Sequence, residues 1–134
     1  MSACVLDTDV VIAALDRADA HHRAAVAAFE RFADGRVELL LCTVNYAEAL
    51  VCPAVDERNL RTAVDAIASL GIRTLAPDAA LARNAARRRG LGVSLADGFA
   101  LATAERVGAD LASFDKRVRR ALNAAGLRLS PALV

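Results

Sequence analysis

The chain has 134 residues, 56% of them hydrophobic, with 17 basic and 16 acidic side chains and a formal net charge of +1. That length suits one domain, residues 1–134, burying about two-thirds of the surface its unfolded form exposes. The even charge balance excludes a partner held by bulk charge alone.

In chain order, residues 3–6 read as a short buried strand closed by Asp7. That acid, with no basic segment before the apolar run, argues against a secretory signal or a membrane span. A helical pattern follows from Val10 to about Asp16, and a second helix from Ala20 to Ala33 stops at Asp34-Gly35. Val37–Cys42 is short enough for a strand, and Thr43 is placed to cap the helix carrying Glu48, with Pro53 near its end. Leu60, Val64, Ile67 and Leu70 mark a helix from Asp56 that Gly71 closes, and Ile72–Leu75 is a third strand. Pro77-Asp78 opens a helix ending at Arg87-Arg88-Arg89-Gly90. Ser94 caps a helix from Leu95 to about Val107, ended by Gly108. Ala109–Ala112 is a fourth strand, Asp115–Ala125 a helix, and Leu127–Leu129 a final edge strand. Short apolar strands alternating with helices predict an α/β fold, a three-layer sandwich around a mainly parallel sheet. The cysteines Cys4, Cys42 and Cys52 lie in apolar contexts without metal-ligand spacing, which predicts reduced thiols in a cytoplasmic protein.

Four acids stand where a carboxylate is costly unless it is paired or holds a metal: Asp7, Glu48, Asp97 and Asp115. Asp7 and Asp115 follow the carboxyl ends of apolar strands, where open α/β sheets bind ligands. Glu48 has Val44, Asn45, Val51 and Cys52 at helical spacing, three of them apolar, so its side chain is expected to face packed structure. Asp97 similarly neighbours Val93, Ala100 and Leu101. Each acid alone also has a plain reading. Asp7 or Asp115 can be an N-cap, Asp97 can complete a cap with Ser94, and Glu48 can be a half-exposed helix residue. The joint pattern favours one shared site. Oxygen ligands without His or Cys select Mg²⁺ or Mn²⁺, and two carboxylates about 4 Å apart repel by roughly 4 kcal/mol at an effective dielectric near 20.

Asp7-Thr8 after a strand, mid-chain Glu48, Ser94-x-x-Asp97 opening a helix and Ser113-x-Asp115 after the next strand resemble PIN-domain ribonucleases in order, spacing and length. Among these, the chain resembles the toxin half of bacterial VapBC-type toxin–antitoxin pairs. The resemblance implies a Rossmann-like α/β/α sandwich and cleavage of RNA dependent on Mg²⁺ or Mn²⁺. It implies Asp7, Glu48, Asp97 and Asp115 as the acidic quartet, Asp7 and Asp97 as metal ligands, and Thr8 and Ser113 in support. It also implies a homodimer and a small VapB-like antitoxin, joined in a heterotetramer or larger assembly. One position departs from the family: Asp9 stands where Asn or Ser is common, adding a fifth acid as ligand or helix cap.

All basic residues except Lys116 are arginine. Lys116, Arg117, Arg119 and Arg120 flank the last acid, where cations could hold a phosphate backbone, or simply be solvated. Arg83 and Arg87–Arg89 read as a helix end. Tyr46 and Phe99 are candidate base-stacking rings, with core packing favoured for Phe99, and His21 and His22 read as surface residues. Two other functions compete. Val5-Leu6-Asp7-Thr8-Asp9 also resembles the first motif of haloacid-dehalogenase-type phosphatases, with Asp7 as nucleophile and Asp9 as acid/base, although Lys116 follows the last acid. A non-catalytic RNA- or protein-binding module is the third reading.

Overall fold

A computed structural model describes residues 2–133 of the chain. Four strands form one sheet: β1 (Ala3–Leu6), β2 (Glu38–Cys42), β3 (Ile72–Leu75) and β4 (Asp110–Ala112). All three pairings are parallel and the order is β3-β2-β1-β4. Among the described residues, seven α-helices cover it: α1 (Thr8–Leu15), α2 (His22–Asp34), α3 (Thr43–Leu50), α4 (Glu57–Ser69), α5 (Ala79–Arg88), α6 (Leu95–Val107) and α7 (Lys116–Ala124).

Alternation along the strands builds the two faces. Cys4, Leu6, Leu39 and Leu41 pack into one cluster with Val10, Phe29 and Ile67, from α1, α2 and α4. Val5 and Leu40 point the other way, against Leu101, Ala104 and Val118 of α6 and α7. Beyond their first residues, Ala3 and Glu38, every β1 and β2 residue is thus buried on its own face, so these strands read as continuous apolar runs. The layering is the α/β/α sandwich expected.

The strand order places a topological switch beside β1. The chain leaves β1 for β2 and β3 on one side, then returns to lay β4 on the other. The crevice past the carboxyl ends of β1 and β4 is where such sheets bind ligands. Helices α1 and α3 start there, directly after β1 and β2. Helix α6 leads through Gly108 into β4, so its start lies there too. Gly108 takes a positive φ of 68°, which turns the chain sharply from helix to strand.

Some boundaries differ from expectation, among them the start of α1, which is Thr8 rather than Val10 because Asp7 caps it. Cys42, not Thr43, is the N-cap of α3, without a side-chain cap, because β2 runs straight into the helix. Helix α2 starts at His22 rather than Ala20, since Asp16 and Asp19 accept the Ala18 and His21 N–H groups and hold a turn between them. The expected edge strand at 127–129 shrinks to one parallel bridge, Leu111 to Leu129. β4 has only three residues, and Pro131 starts a short 3₁₀ turn just beyond.

Candidate active site

Asp7 ends β1 and caps α1. Its Oδ1 accepts the Thr8 N–H at 2.8 Å. Its Oδ2 accepts the Ser113 hydroxyl at 2.8 Å, from 106 residues along the chain. The same Ser113 oxygen accepts the Asp115 N–H at 3.1 Å. Within the first turn of α1, Asp9 Oδ2 accepts the Phe114 N–H at 3.0 Å. The segment after β4 is thereby laced onto Asp7 and Asp9. Asp115 caps α7 by accepting the Arg117 N–H and pairs with the Arg117 guanidinium at 3.2 Å.

Asp97 joins from α6. Its Oδ2 accepts the Ser94 N–H at 3.1 Å while Ser94 Oγ accepts the Asp97 N–H, a complete capping box. Asn45, fully buried on α3, ties these starts together. Its Nδ2 donates to Thr8 Oγ1 at 3.1 Å and to the Ala96 carbonyl at 3.0 Å. The plain capping readings of Asp7, Asp97 and Asp115 therefore hold together with their gathering at one edge, for the caps are what aim the carboxylates there.

Glu48 is placed differently from expectation. It is exposed, and among the described residues it makes no hydrogen bond or ion pair. It lines a groove of about 630 Å³ with Ile12, Leu15, Ala49 and Ala63. Its apolar neighbours at helical spacing do not bury it, because the α1–α3–α4 surface stays open at that turn. Asp9 is the acid drawn in where Glu48 was expected. Sequence reasoning noted Asn45 only as a neighbour of Glu48 and gave it no role; its signal was an amide among the mostly apolar residues of the helix.

The cluster is electrostatically strained. Burial, then the charges of Asp9 and Asp97, pushes the Asp7 carboxyl up to about 8, against the opposing pull of its Ser113 and Thr8 bonds. Burial also raises Asp9, to about 6, with Asp115 and Asp97 adding to the rise and the Phe114 N–H pulling back. Asp115 is held below the ordinary carboxylate range, first by its bond to Arg117. Arg117 and Asp115 are both partly exposed, so that pair adds little to stability. Arg119 spends its guanidinium on the Ser113 carbonyl at 2.7 Å. Lys116 and Arg120 are exposed on α7.

Two buried oxygens, Asp9 Oδ1 and Asn45 Oδ1, have no hydrogen-bond partner among the described residues. Orphaned acceptors beside carboxylates that resist ionisation suit a hard, oxygen-seeking cation. Among the described residues, no three His, Cys, Asp or Glu side chains converge closely enough to form a finished metal site. Like-charge repulsion works against such convergence, and a divalent ion would turn that repulsion into attraction.

A family model described as the PIN domain matches residues 4–122, a stretch holding all five acids. The chain belongs to the PIN-domain family. No curated protein matches it. Solved structures share its fold. VapBC2 from Rickettsia felis, bound to a DNA fragment from the promoter, is 16% identical, with 96% of this chain and 97% of that one covered at a TM-score of 0.73. FitAcB from Neisseria gonorrhoeae is 21% identical, with coverages of 96% and 97% and a TM-score of 0.67. VapC20 from Mycobacterium tuberculosis, described as a sarcin–ricin loop cleaving toxin, is 18% identical, with coverages of 92% and 95% and a TM-score of 0.69. The match over residues 4–122 favours the PIN reading over the haloacid-dehalogenase likeness, which rests on the first motif alone.

Proposed function

We propose that this PIN domain is an endoribonuclease dependent on Mg²⁺ or Mn²⁺, acting in the cytoplasm as the toxin of a type II toxin–antitoxin pair. The observation that carries the reading is the buried Asp7 carboxylate with the half-buried Asp9 carboxylate at the sheet's switch point, beside Asp97 and two orphaned oxygens.

Asp7 and Asp97 are the proposed direct ligands. Asp9 and Asn45 offer further oxygens, and Glu48 and Asp115 contribute directly or through water. A divalent cation bound there supplies charge neutralisation and acidifies a water for in-line attack on phosphorus. The chain's own residues do the positioning. Ser113 fixes the Asp7 carboxylate, and Thr8, held by Asn45, keeps the first turn of α1 in place. Asp9 and Asp115 are set in register by the backbone of residues 113–115. Lys116 and Arg120 draw in the RNA backbone, with Arg117 and Arg119 behind them.

The antitoxin reading is supported by neighbours that are themselves toxin–antitoxin assemblies, including VapBC-1 from nontypeable Haemophilus influenzae and a complex from Klebsiella pneumoniae. By that likeness the partners are a small VapB-like protein and a second copy of this chain, in a heterotetramer or larger.

The test is regulated expression with and without the small open reading frame expected immediately upstream, followed by mapping of RNA ends, and cleavage by the purified protein with Mn²⁺ or Mg²⁺. Growth arrest relieved by the neighbour, and cuts lost in Asp7→Asn, are expected. Hydrolysis by external water leaves no 2′,3′-cyclic phosphate. Cyclic ends would overturn the mechanism, and RNA binding without cleavage would favour a non-catalytic module.

A further inference from the structure

We infer that His21 and Phe114 form a platform on which one unpaired base of the RNA stacks beside the acidic cluster, which makes His21 a substrate-positioning residue. The inference rests on the ribonuclease reading and adds a recognition element to it.

Phe114 lies between Ser113 and Asp115, and its own N–H donates to Asp9. Its ring is half-buried and packs against the core. The His21 imidazole lies flat on it, with centroids 4.5 Å apart and planes 7° from parallel. The His21 side chain is 55% exposed, which leaves ring surface of the outer member of the stack open to solvent.

Beyond its stack on Phe114 and a long approach to Asp19, the imidazole has few ties to the fold. It makes no side-chain cap on α2 although it stands at the N-cap, and its nearest acid, Asp19, is 3.9 Å away. Yet its backbone is held firmly. The His21 N–H donates to Asp19 at 2.8 Å, and His22 Nδ1 bonds the Ala13 carbonyl at 2.7 Å. A flat ring, fixed in place and half open to water, loses little freedom when a base stacks on it. Exposed Lys116 and Arg120 follow Phe114 on α7, where a phosphate backbone would pass. Proteins read unpaired nucleotides by such stacking, and a base inside a duplex is not available for it.

The test separates binding from cleavage. A single-stranded oligoribonucleotide carrying 2-aminopurine is titrated into Asp7→Asn protein with Mn²⁺, with and without His21→Ala. Stacking should quench the fluorophore. His21→Ala should abolish the quench and weaken binding by about tenfold, and His21→Tyr should restore both. Otherwise wild-type protein carrying His21→Ala should show a raised KM, little change in kcat and a fall in melting temperature of no more than about 5 °C from the lost stack. An unaltered quench and affinity in His21→Ala would overturn the platform, as would a melting temperature that falls in step with binding and is not rescued by His21→Tyr. Quenching that depends on His21 in a protein that cuts no RNA would remove the ribonuclease reading and leave the platform standing.

Discussion

Asp7 has two duties that pull against each other. It caps α1 and accepts the Ser113 hydroxyl, both of which favour its charged form, yet burial and two neighbouring acids raise it from an ordinary 3.8 to about 8. Because the folded value lies above the unfolded one, ionising Asp7 costs stability in the metal-free protein. That cost is absent below about pH 4, grows as pH rises, and is complete above about pH 8. Asp7→Asn should therefore raise the apo melting temperature, by about 5 °C at pH 8 and less at pH 5, if it relieves about 1 kcal/mol. Calorimetry at the two pH values decides it, and a lower melting temperature at pH 8 would mean that the lost hydrogen bonds outweigh the relief. Glu48 offers the opposite signature. Being exposed, Glu48→Gln should leave the unfolding free energy from urea titration within about 0.5 kcal/mol of wild type while slowing cleavage. Gly98 makes a third case, next to Asp97 on α6. An added Cβ would sit 2.5 Å from the Ala85 carbonyl oxygen of α5. Gly98→Ala should cost roughly 1–3 kcal/mol by prising α6 from α5, read as a lower thermal midpoint by circular dichroism.

Among the elements, the starts of α1, α3 and α6 are joined by the one amide of Asn45. Asn45→Ala would strand the Thr8 hydroxyl and the Ala96 carbonyl in a dry setting. A loss of about 1–3 kcal/mol is expected in urea unfolding, with a smaller stabilisation by Mn²⁺ as the helix starts loosen. Ser94→Ala should cost about 1 kcal/mol through the α6 cap alone. Element boundaries were readable where they depend on near neighbours. Asp56, Ser94 and Gly108 act at the ends of α4 and α6 as their types suggest. Thr43 misled because the strand before it continues into the helix without a turn, and the tail at 127–129 misled because pairing ability depends on the length of the partner strand, β4.

For the molecule as a whole, the orphaned oxygens and the two raised carboxylates predict linkage between cation binding, pH and stability. A cation that binds only the folded state adds about 2.7 kcal/mol at a hundred times its Kd. The thermal shift produced by millimolar Mg²⁺ or Mn²⁺ should be larger at pH 8 than at pH 6, because Asp9 sheds its proton near 6 and Asp7 near 8. A shift independent of pH would place the ion elsewhere.

Composition, strand–helix alternation and capping residues were enough to specify the parallel α/β architecture, since those signals act over a few residues and repeat along the chain. The sequence alone also marked Asp7, Asp97 and Asp115 by their places after strands and at helix starts. Only the tertiary structure decided that Asp9 joins them, that Glu48 stands exposed on α3, and that Asn45 and the His21–Phe114 stack lie at the same edge. Those relations span chain separations as long as the 105 residues between Asp9 and Phe114. They depend on strand order and on which face of a helix packs inward, neither of which is carried by neighbouring residues.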